Sequence, residues 1–525
     1  MPHNLTFVTA LLMGTCFSYF LNRLTDLSLR QTSLLALFVV GISWVVYRSF
    51  IYPFYLSPLR HIPTIPGCPL WGHTIERFRR ERGLWEREWH RKYGNVIRFF
   101  SPFGFETLSV TDLDSIREMT TTNPYRYQKP ASISIGMRNV LGNGLLFVDG
   151  DEHARQRKTL TPAFSHSSIR ELEHIFWEKG LTLCHLLTTN TSPDRTQSVL
   201  ISPLLNRATL DIIGKAAFGY DVDSLRNPGE PLAEAYSSLF KFDLVSNIIL
   251  LWRILSPQVR YLPVEINRTL TKVRQDIKVV VHYIVSNRLK SGEKSILERA
   301  LRYSEELKER DMMSITSIED QVMMFLAVGH ESTSTAVAWT LDLLAKHPDI
   351  QNRLRCEILG ALPNLPELDA EELANYNLES LPYLNKVCQE SLRYLPTVPM
   401  TIRECMEDCK LAGHHVPKGT WVLLVPNAIN HLSSYWGEDA DTFDPDRWDH
   451  LPRSWCPAAY LTFLQGPRGC IGRKFAETEM KVLLCCLLAR FSFERDAEWP
   501  DQALKKEWRV VHRPRDGIKL LMKAL

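Results

Sequence analysis

The 525-residue chain has no block of like charge: 62 Lys+Arg against 59 Asp+Glu leave a formal net charge of +3. That is too near neutral for electrostatic capture of nucleic acid, and no basic stripe alternates with aromatics as a single-strand binder requires. A disulfide framework is missing too. The 11 cysteines (16, 68, 184, 356, 388, 405, 409, 456, 470, 485 and 486) are odd in number and irregularly spaced, which fits free thiols in a reducing compartment. No repeated two-residue-spaced cysteine pair or His cluster completes a zinc site. No glycine-rich fingerprint for a flavin or nicotinamide appears, so electrons for any redox chemistry must come from another protein. Internal repeats and low-complexity tracts are absent. What remains is ordinary globular composition, 45% hydrophobic and 23% charged, enough for one large or two medium domains.

The long hydrophobic runs lie at the amino terminus. Leu5 to Leu21 is mostly apolar, and Ser33 to Tyr55 is a second run broken by Arg48. A bilayer core takes about 20 apolar residues in a helix. The first run has no preceding basic residue and no small-residue cleavage site, so residues 1–56 are expected to be a retained anchor of one or two spans. The second run is the stronger span, with Trp44, Tyr47 and Tyr52 as interfacial anchors. Residues 57–69 hold four prolines, which forbid a continuing helix and predict a stiff extended hinge. Residues 70–525 form the body.

The body reads as mainly α with a smaller β portion. Val96 to Phe100 and Thr107 to Thr111 predict a hairpin, Thr420 to Val425 a strand, and Val510-Val511 with Ile518 to Leu521 a late hairpin. A capping-box pattern at Thr316-Ser317-Ile318-Glu319 opens a long helix that Pro348 stops. Its middle, Gly329-His330-Glu331-Ser332-Thr333-Ser334-Thr335, weakens a helix interior because the hydroxyls compete for backbone carbonyls. A hydroxyl-rich helix–helix contact is the competing reading.

The sharpest motif is Phe463-Leu464-Gln465-Gly466-Pro467-Arg468-Gly469-Cys470-Ile471-Gly472-Arg473. Three glycines and a proline surround one cysteine just before an apolar-periodic helix, Lys474 to Arg490. Inward backbone N–H groups, a helix N-terminus and a nearby Arg are expected to lower the thiol pKa. A thiolate is what a haem iron needs for O–O cleavage, and Arg468 would pair with a haem propionate. A structural cysteine in a turn is the alternative. Glu390 and Arg393 share one helix face, and Phe443 to Trp448 presents Arg447. A carboxylate clamped by two guanidinium groups would satisfy buried charges mutually.

These residues resemble the cytochrome P-450 monooxygenases across the whole chain. Phe463, Gly466, Arg468, Cys470 and Gly472 fill the fixed positions of that family's haem loop; Glu390, Arg393 and Arg447 match its Glu-Arg-Arg lock in order. The resemblance implies the family's fold, with haem b between the long helix and the cysteine loop and Cys470 as metal ligand. It makes Glu331, Ser332 and Thr333 the oxygen-activating group. The sequence departs from the usual pattern there: Val328 stands at a small-residue position and Ser332 at the usual threonine. Arg157, His153 and Arg403 match propionate-binding positions, His153 replacing the more usual Trp. Arg126 to Gly144, Met323 to Ala327 and Thr397 to Met400 would face a lipophilic substrate.

The implied reaction inserts one atom of O₂ into that substrate, in secondary-metabolite biosynthesis of filamentous-fungal type. Electrons would come from NADPH through NADPH-cytochrome P-450 reductase, with cytochrome b5 as a further donor. The reductase would meet a basic face of Arg453, Arg468, Arg473 and Lys474. The implied location is the endoplasmic reticulum membrane with the body in the cytosol, where the sequons at Asn190 and Asn267 stay unused and Asn4 is lumenal only with a single span. Two other readings are a reductase-independent isomerase or dehydratase acting on a hydroperoxide, and a haem sensor without turnover.

Overall fold

The computed structural model describes residues 28–525 apart from 74–75, 77–80, 82, 190–195, 240–248, 250–256, 289–294, 306–312, 366, 500–503 and 509–510. The run Leu5 to Leu21, Asn4, Asn190 and Val510 lie outside the described residues. Contacts divide the chain into two compact units, Met1–Gln128 with Met400–Ala428 and Lys129–Pro399 with Ile429–Leu525.

In the first unit, an α-helix over Leu29–Val46 runs directly into a π-helical stretch, Tyr47–Leu56. Pro53 explains the change: it has no N–H for the i→i−4 ladder, and Ser57 N–H instead reaches the carbonyl of Tyr52, five residues back. Arg30–Leu56 is 27 residues long, has mean hydropathy 2.0 and is only 17% buried, so it is long and apolar enough to cross a membrane. Arg48 does not break it. Its guanidinium lies 4.9 Å from the Tyr52 ring centroid and 5.1 Å from that of Phe105, where the ring faces accept its charge.

The proline-rich segment then lies along a strand. Arg98 N–H donates to Pro63 O and Ile65 N–H to Arg98 O, both at 2.8 Å. The predicted hairpin forms from Val96–Ser101 and Phe105–Val110, paired antiparallel. Its turn takes left-handed backbone at Phe103 and Gly104. Gly104 is required, because a Cβ there would sit 2.4 Å from Arg48 O. Five strands make the sheet, in the order Val96–Ser101, Phe105–Val110, Trp421–Leu424, Thr401–Cys405, Tyr127–Gln128. Val96 to Phe100 are all buried. Alternation is lost because both faces are covered: Ile97 and Phe99 join Ile65, Leu423 and Trp89, while Arg98 reaches Pro53 O and Glu106, and Phe100 stacks on Phe54.

The second unit is built on the long helix, Ile315–Lys346, 32 residues or about 48 Å. It begins earlier than the capping-box pattern predicted: Ser314, not Thr316, is the cap, its hydroxyl accepting from Ser317 N–H at 3.1 Å. The helix Ile201–Phe218 packs closely on it, with Ile213 meeting Gly329 and Thr209 Oγ1 donating to His330 O. The helix following the cysteine, Arg473–Arg490, packs against Glu173–Thr189 through Phe475 and Phe176. The predicted late hairpin does not form. Lys519–Ala524 lies between Phe491–Arg495 and Gln197–Leu200, and His512–Pro514 pairs with Lys506–Trp508. Local turn residues suggested the pairing; partners distant in sequence took both strands instead.

The expected charge clamp is present and fully buried. Glu390 receives Arg393 Nε at 2.8 Å and Nη2 at 2.7 Å, Trp448 Nε1 at 3.2 Å and Arg447 Nε at 3.4 Å. The remaining guanidinium hydrogens go mostly to carbonyls: Arg393 donates to Asn430, Ala440 and Thr442, and Arg447 to Trp436, Asp439 and Thr442, while Arg447 Nη1 also pairs with the Asp439 carboxylate at 2.9 Å. Removing one member strands a desolvated charge, which costs about 3–5 kcal/mol. Glu390→Ala should therefore lower the unfolding free energy of the full chain by about that much in urea titration; an unchanged midpoint would show the clamp to be neutral.

Candidate active site

The cysteine loop is shaped by its own backbone. Gly466–Arg468 makes a 3₁₀ turn, entered through left-handed conformations at Leu464 and Gly466. For a leucine that conformation costs on the order of 1 kcal/mol, which the surrounding bonds must hold. Gly469 N–H donates to Gly466 O at 2.9 Å, and Cys470 N–H to Phe463 O at 2.8 Å. Gly472 then starts the next helix as its N-cap. The Arg473 guanidinium lies over the Phe463 and Tyr460 rings at 5.3 and 5.9 Å.

Cys470 is solvent-exposed, as are Gly466 and Arg473, and no residue from Thr462 to Lys474 is buried. Yet enough protein surrounds the sulfur that burial raises its thiol pKa, against the Gly472 N–H and the charges of Arg157 and Arg473, which lower it. The expectation that the loop alone depresses this thiol is corrected: desolvation outweighs the local dipoles.

The long helix presents a matching opening. From Asp320 to Leu344 every residue is buried except Val328, Gly329 and Ser332. At i, i+1 and i+4 they form one strip on one face. The hydroxyl cluster therefore divides. Ser332 lies on the open strip, its Oγ donating to Val328 O at 2.9 Å. Thr333 is buried, bonded to Gly329 O at 3.4 Å, and faces the carboxyl of Glu479. Burial pushes the Glu479 carboxyl well above the usual carboxylate range. Glu331 is buried 3.6 Å from Arg513 Nη1. His330 points away from the strip, toward Leu326 O and Tyr236, and burial pushes its pKa down to about 4, leaving it neutral. Phe164 stands beside Gly472 and stacks on Phe325 at 5.3 Å, bridging cysteine loop and long helix.

The other predicted residues fall on three elements. Arg157 and His153 lie on the helix Gly150–Leu160, and Arg157 Nη1 donates to Gly469 O at 2.6 Å, directly behind the cysteine. His153 is buried. Arg468 pairs with Asp149 at 2.8 Å, a partner not foreseen from the sequence. Arg403 belongs to the first unit, on Thr401–Cys405, where Nη1 donates to Thr401 Oγ1 and Ile402 O. Sequence reasoning also missed Arg513, Phe164 and Glu479. None belongs to a local motif, and an Asp directly before Gly150 was the one available hint.

The sites expected on the surface are partly engaged. Lys474 and Lys481 both pair with Glu379, and Arg473 with Glu477 at 2.8 Å. Asn267 is buried, its amide donating to Val259 O and Leu262 O at 2.9 Å.

The chain matches the family model for cytochrome P450 over residues 63–522. Its relatives include the cytochrome P450 monooxygenase sphH of Aspergillus fumigatus, 33% identical over 91% of each chain. ALT8 of Alternaria alternata is 30% identical over 92% of each, and FUM15 of Gibberella moniliformis 31% over 87% of each. The chain belongs to the cytochrome P450 family. It is an oxygenating oxidoreductase of the haem-thiolate class, and its mainly helical fold with a smaller β portion is that family's. The exposed Cys470, the guanidinium groups of Arg157 and Arg468 near it and the partly exposed strip on the long helix fit an anionic, planar, thiolate-bound haem.

Glu379 gives a pH test of the helix behind the cysteine. Burial raises its carboxyl pKa, but the hydrogen bonds from Lys474 and Lys481 win and bring it from 4.5 to about 2. A depressed carboxylate contributes stability that is complete above its unfolded pKa and is lost as pH falls through the folded one. Unfolding free energy should thus fall between about pH 4.5 and 2, and Glu379→Gln should flatten that limb. An unaltered slope in the variant would remove Glu379 from the account.

Proposed function

We propose that this chain inserts one oxygen atom of O₂ into a lipophilic small molecule of secondary metabolism, with Cys470 as the axial thiolate of haem b. The observation that carries this is the partly exposed strip Val328, Gly329 and Ser332 in the otherwise buried Asp320 to Leu344 stretch of the long helix, in the same unit as the exposed Cys470. Bound haem supplies the reductive activation of O₂ and the oxidising power for C–H or C=C bonds. The chain's residues do the rest. Arg157, His153 and Arg468 bind propionates, with Phe463, Gly466 and Gly472 shaping the loop around the sulfur. The Ser332 hydroxyl delivers protons at the open strip, drawing on Glu331, whose carboxylate Arg513 fixes. Thr333, buried against Glu479, keeps the helix in place. Met323, Met324 and Ala327 contribute an apolar wall; Leu146 N–H donates to the Met324 sulfur and holds it.

The anchor places the body at a membrane, which we assign to the endoplasmic reticulum, with electrons delivered from NADPH by a membrane-bound flavoprotein reductase and cytochrome b5 as an accessory donor. The names of the relatives, monooxygenases from fungi, support the reaction class. The docking face rests on Arg453 and Arg473, which stay exposed although Arg473 pairs with Glu477; Arg468 and Lys474 are ion-paired and only partly exposed.

The reduced protein under carbon monoxide should show the strongly red-shifted thiolate Soret band, and Cys470→Ala should abolish it; a band that survives ends the ligand assignment. With reductase and NADPH, Ser332→Ala should cut product per NADPH consumed by about 10²-fold, while Thr333→Ala keeps most of it. The reverse ranking would move the relay to Thr333, and turnover without NADPH would favour the hydroperoxide isomerase. Rising ionic strength and the double variant Arg453→Glu, Arg473→Glu should both slow haem reduction; insensitivity to both would place the reductase elsewhere.

A further inference from the structure

Outside this site, the first unit holds a second sulfur cluster. Cys405 ends the strand Thr401–Cys405 and Cys409 opens Cys409–Leu411, four residues on. Both are buried, at 0% and 7% exposure, and their sulfurs are 3.7 Å apart. That is van der Waals contact, less than 2 Å beyond the roughly 2.05 Å of a disulfide.

The contact is imposed by the fold. Cys405 N–H donates to Thr420 O and its carbonyl accepts from Gly419 N–H, at 2.9 and 2.7 Å. The intervening turn is tied as well: Met406 N–H donates to Arg126 O, Arg126 Nε binds Glu407, and Asp408 receives Lys418 N–H. Tyr127 lies directly across from Cys405 in the sheet register. Two thiols held this way react with the effective concentration of an intramolecular pair.

The pair is also chemically unequal. The Cys409 thiol is pushed down to about 7, chiefly by its hydrogen bond with Cys405; burial opposes this, and the Tyr127 hydroxyl and Arg126 charge assist. Cys405 is pushed up by the same bond and by burial. The shared bond favours the thiolate on Cys409 and the proton on Cys405.

We propose that Cys405 and Cys409 form an oxidative modification site that a small peroxide converts to an intrachain disulfide. The Cys409 thiolate attacks one oxygen of hydrogen peroxide, breaking the O–O bond and forming a sulfenic acid, while the departing hydroxide takes up a proton to become water. The Cys405 sulfur, giving up its proton, then displaces the second oxygen as water. Two thiols lose two electrons in all, and one peroxide becomes two waters. The disulfide closes the turn that ends the Arg403 strand. This inference does not depend on the haem assignment.

Trypsin cuts after Arg403 and Lys410, so both cysteines fall on one peptide, Glu404 to Lys410. The purified full chain is treated with limiting hydrogen peroxide, denatured, alkylated with N-ethylmaleimide and digested. That peptide should appear two hydrogens lighter and unalkylated, regain two alkyl groups after reduction, and shift before the exposed Cys68 and Cys356 are consumed. In Cys405→Ser, Cys409 should stop at a sulfenic acid that dimedone traps, whereas wild type traps little. The proposal is overturned if both thiols still alkylate after Cys68 and Cys356 have oxidised, or if wild-type Cys409 advances to sulfinic acid with no loss of the two hydrogens.

Discussion

A carboxylate with no access to water must be met by positive charge and by every hydrogen bond its neighbours can give, and the second unit is organised around one such group, Glu390. Its two guanidinium partners are forced to find carbonyls for their remaining hydrogens, and they find them on the segment from Asn430 to Thr442. The bonds continue outward. Asn430 donates to Arg393 O and Thr462 Oγ1 and accepts from Leu461 N–H, while Thr462 Oγ1 donates to Leu392 O. Thr462 directly precedes the cysteine loop. The ion cluster thus fixes the point from which the loop departs, and a requirement of buried charge becomes a requirement on where Cys470 can stand.

The opposite wall is set by a different constraint. A helix of 32 residues that crosses the unit is buried along its central length, and the break at Val328, Gly329 and Ser332 is a single face, not a frayed end. Gly329 brings Ile213 of the neighbouring helix against the backbone, so the opening is not created by loose packing. The hydroxyls that weaken a helix interior are tolerated because each bonds the carbonyl one turn back, Ser332 to Val328 and Thr333 to Gly329. The helix keeps its course while offering one polar group to the opening.

Much of this was legible in the sequence, for identifiable reasons. The hairpin at Pro102 to Gly104, the turn of the cysteine loop and the Glu390 helix are local: proline, glycine and short spacing determine them within a turn or two. What escaped is long-range. Asp149 meets Arg468, Glu331 meets Arg513 and Glu379 gathers Lys474 and Lys481 across spans no periodicity encodes. The late hairpin failed for the same reason: Lys519–Ala524 found Phe491–Arg495 and Gln197–Leu200, partners that bury more of it than a neighbouring turn could.

The reversed thiol shift at Cys470 bears on what such a loop is for. Backbone N–H groups and two arginines act on the sulfur, and they are outweighed by the cost of holding a charge where protein has replaced water. A metal cation of full charge at bonding distance is a far stronger influence than any of these dipoles, and it deprotonates a coordinating thiol outright. The loop's left-handed turn, its internal bonds from Gly469 and Cys470, and Arg157 gripping the Gly469 carbonyl fix the position at which the sulfur is presented.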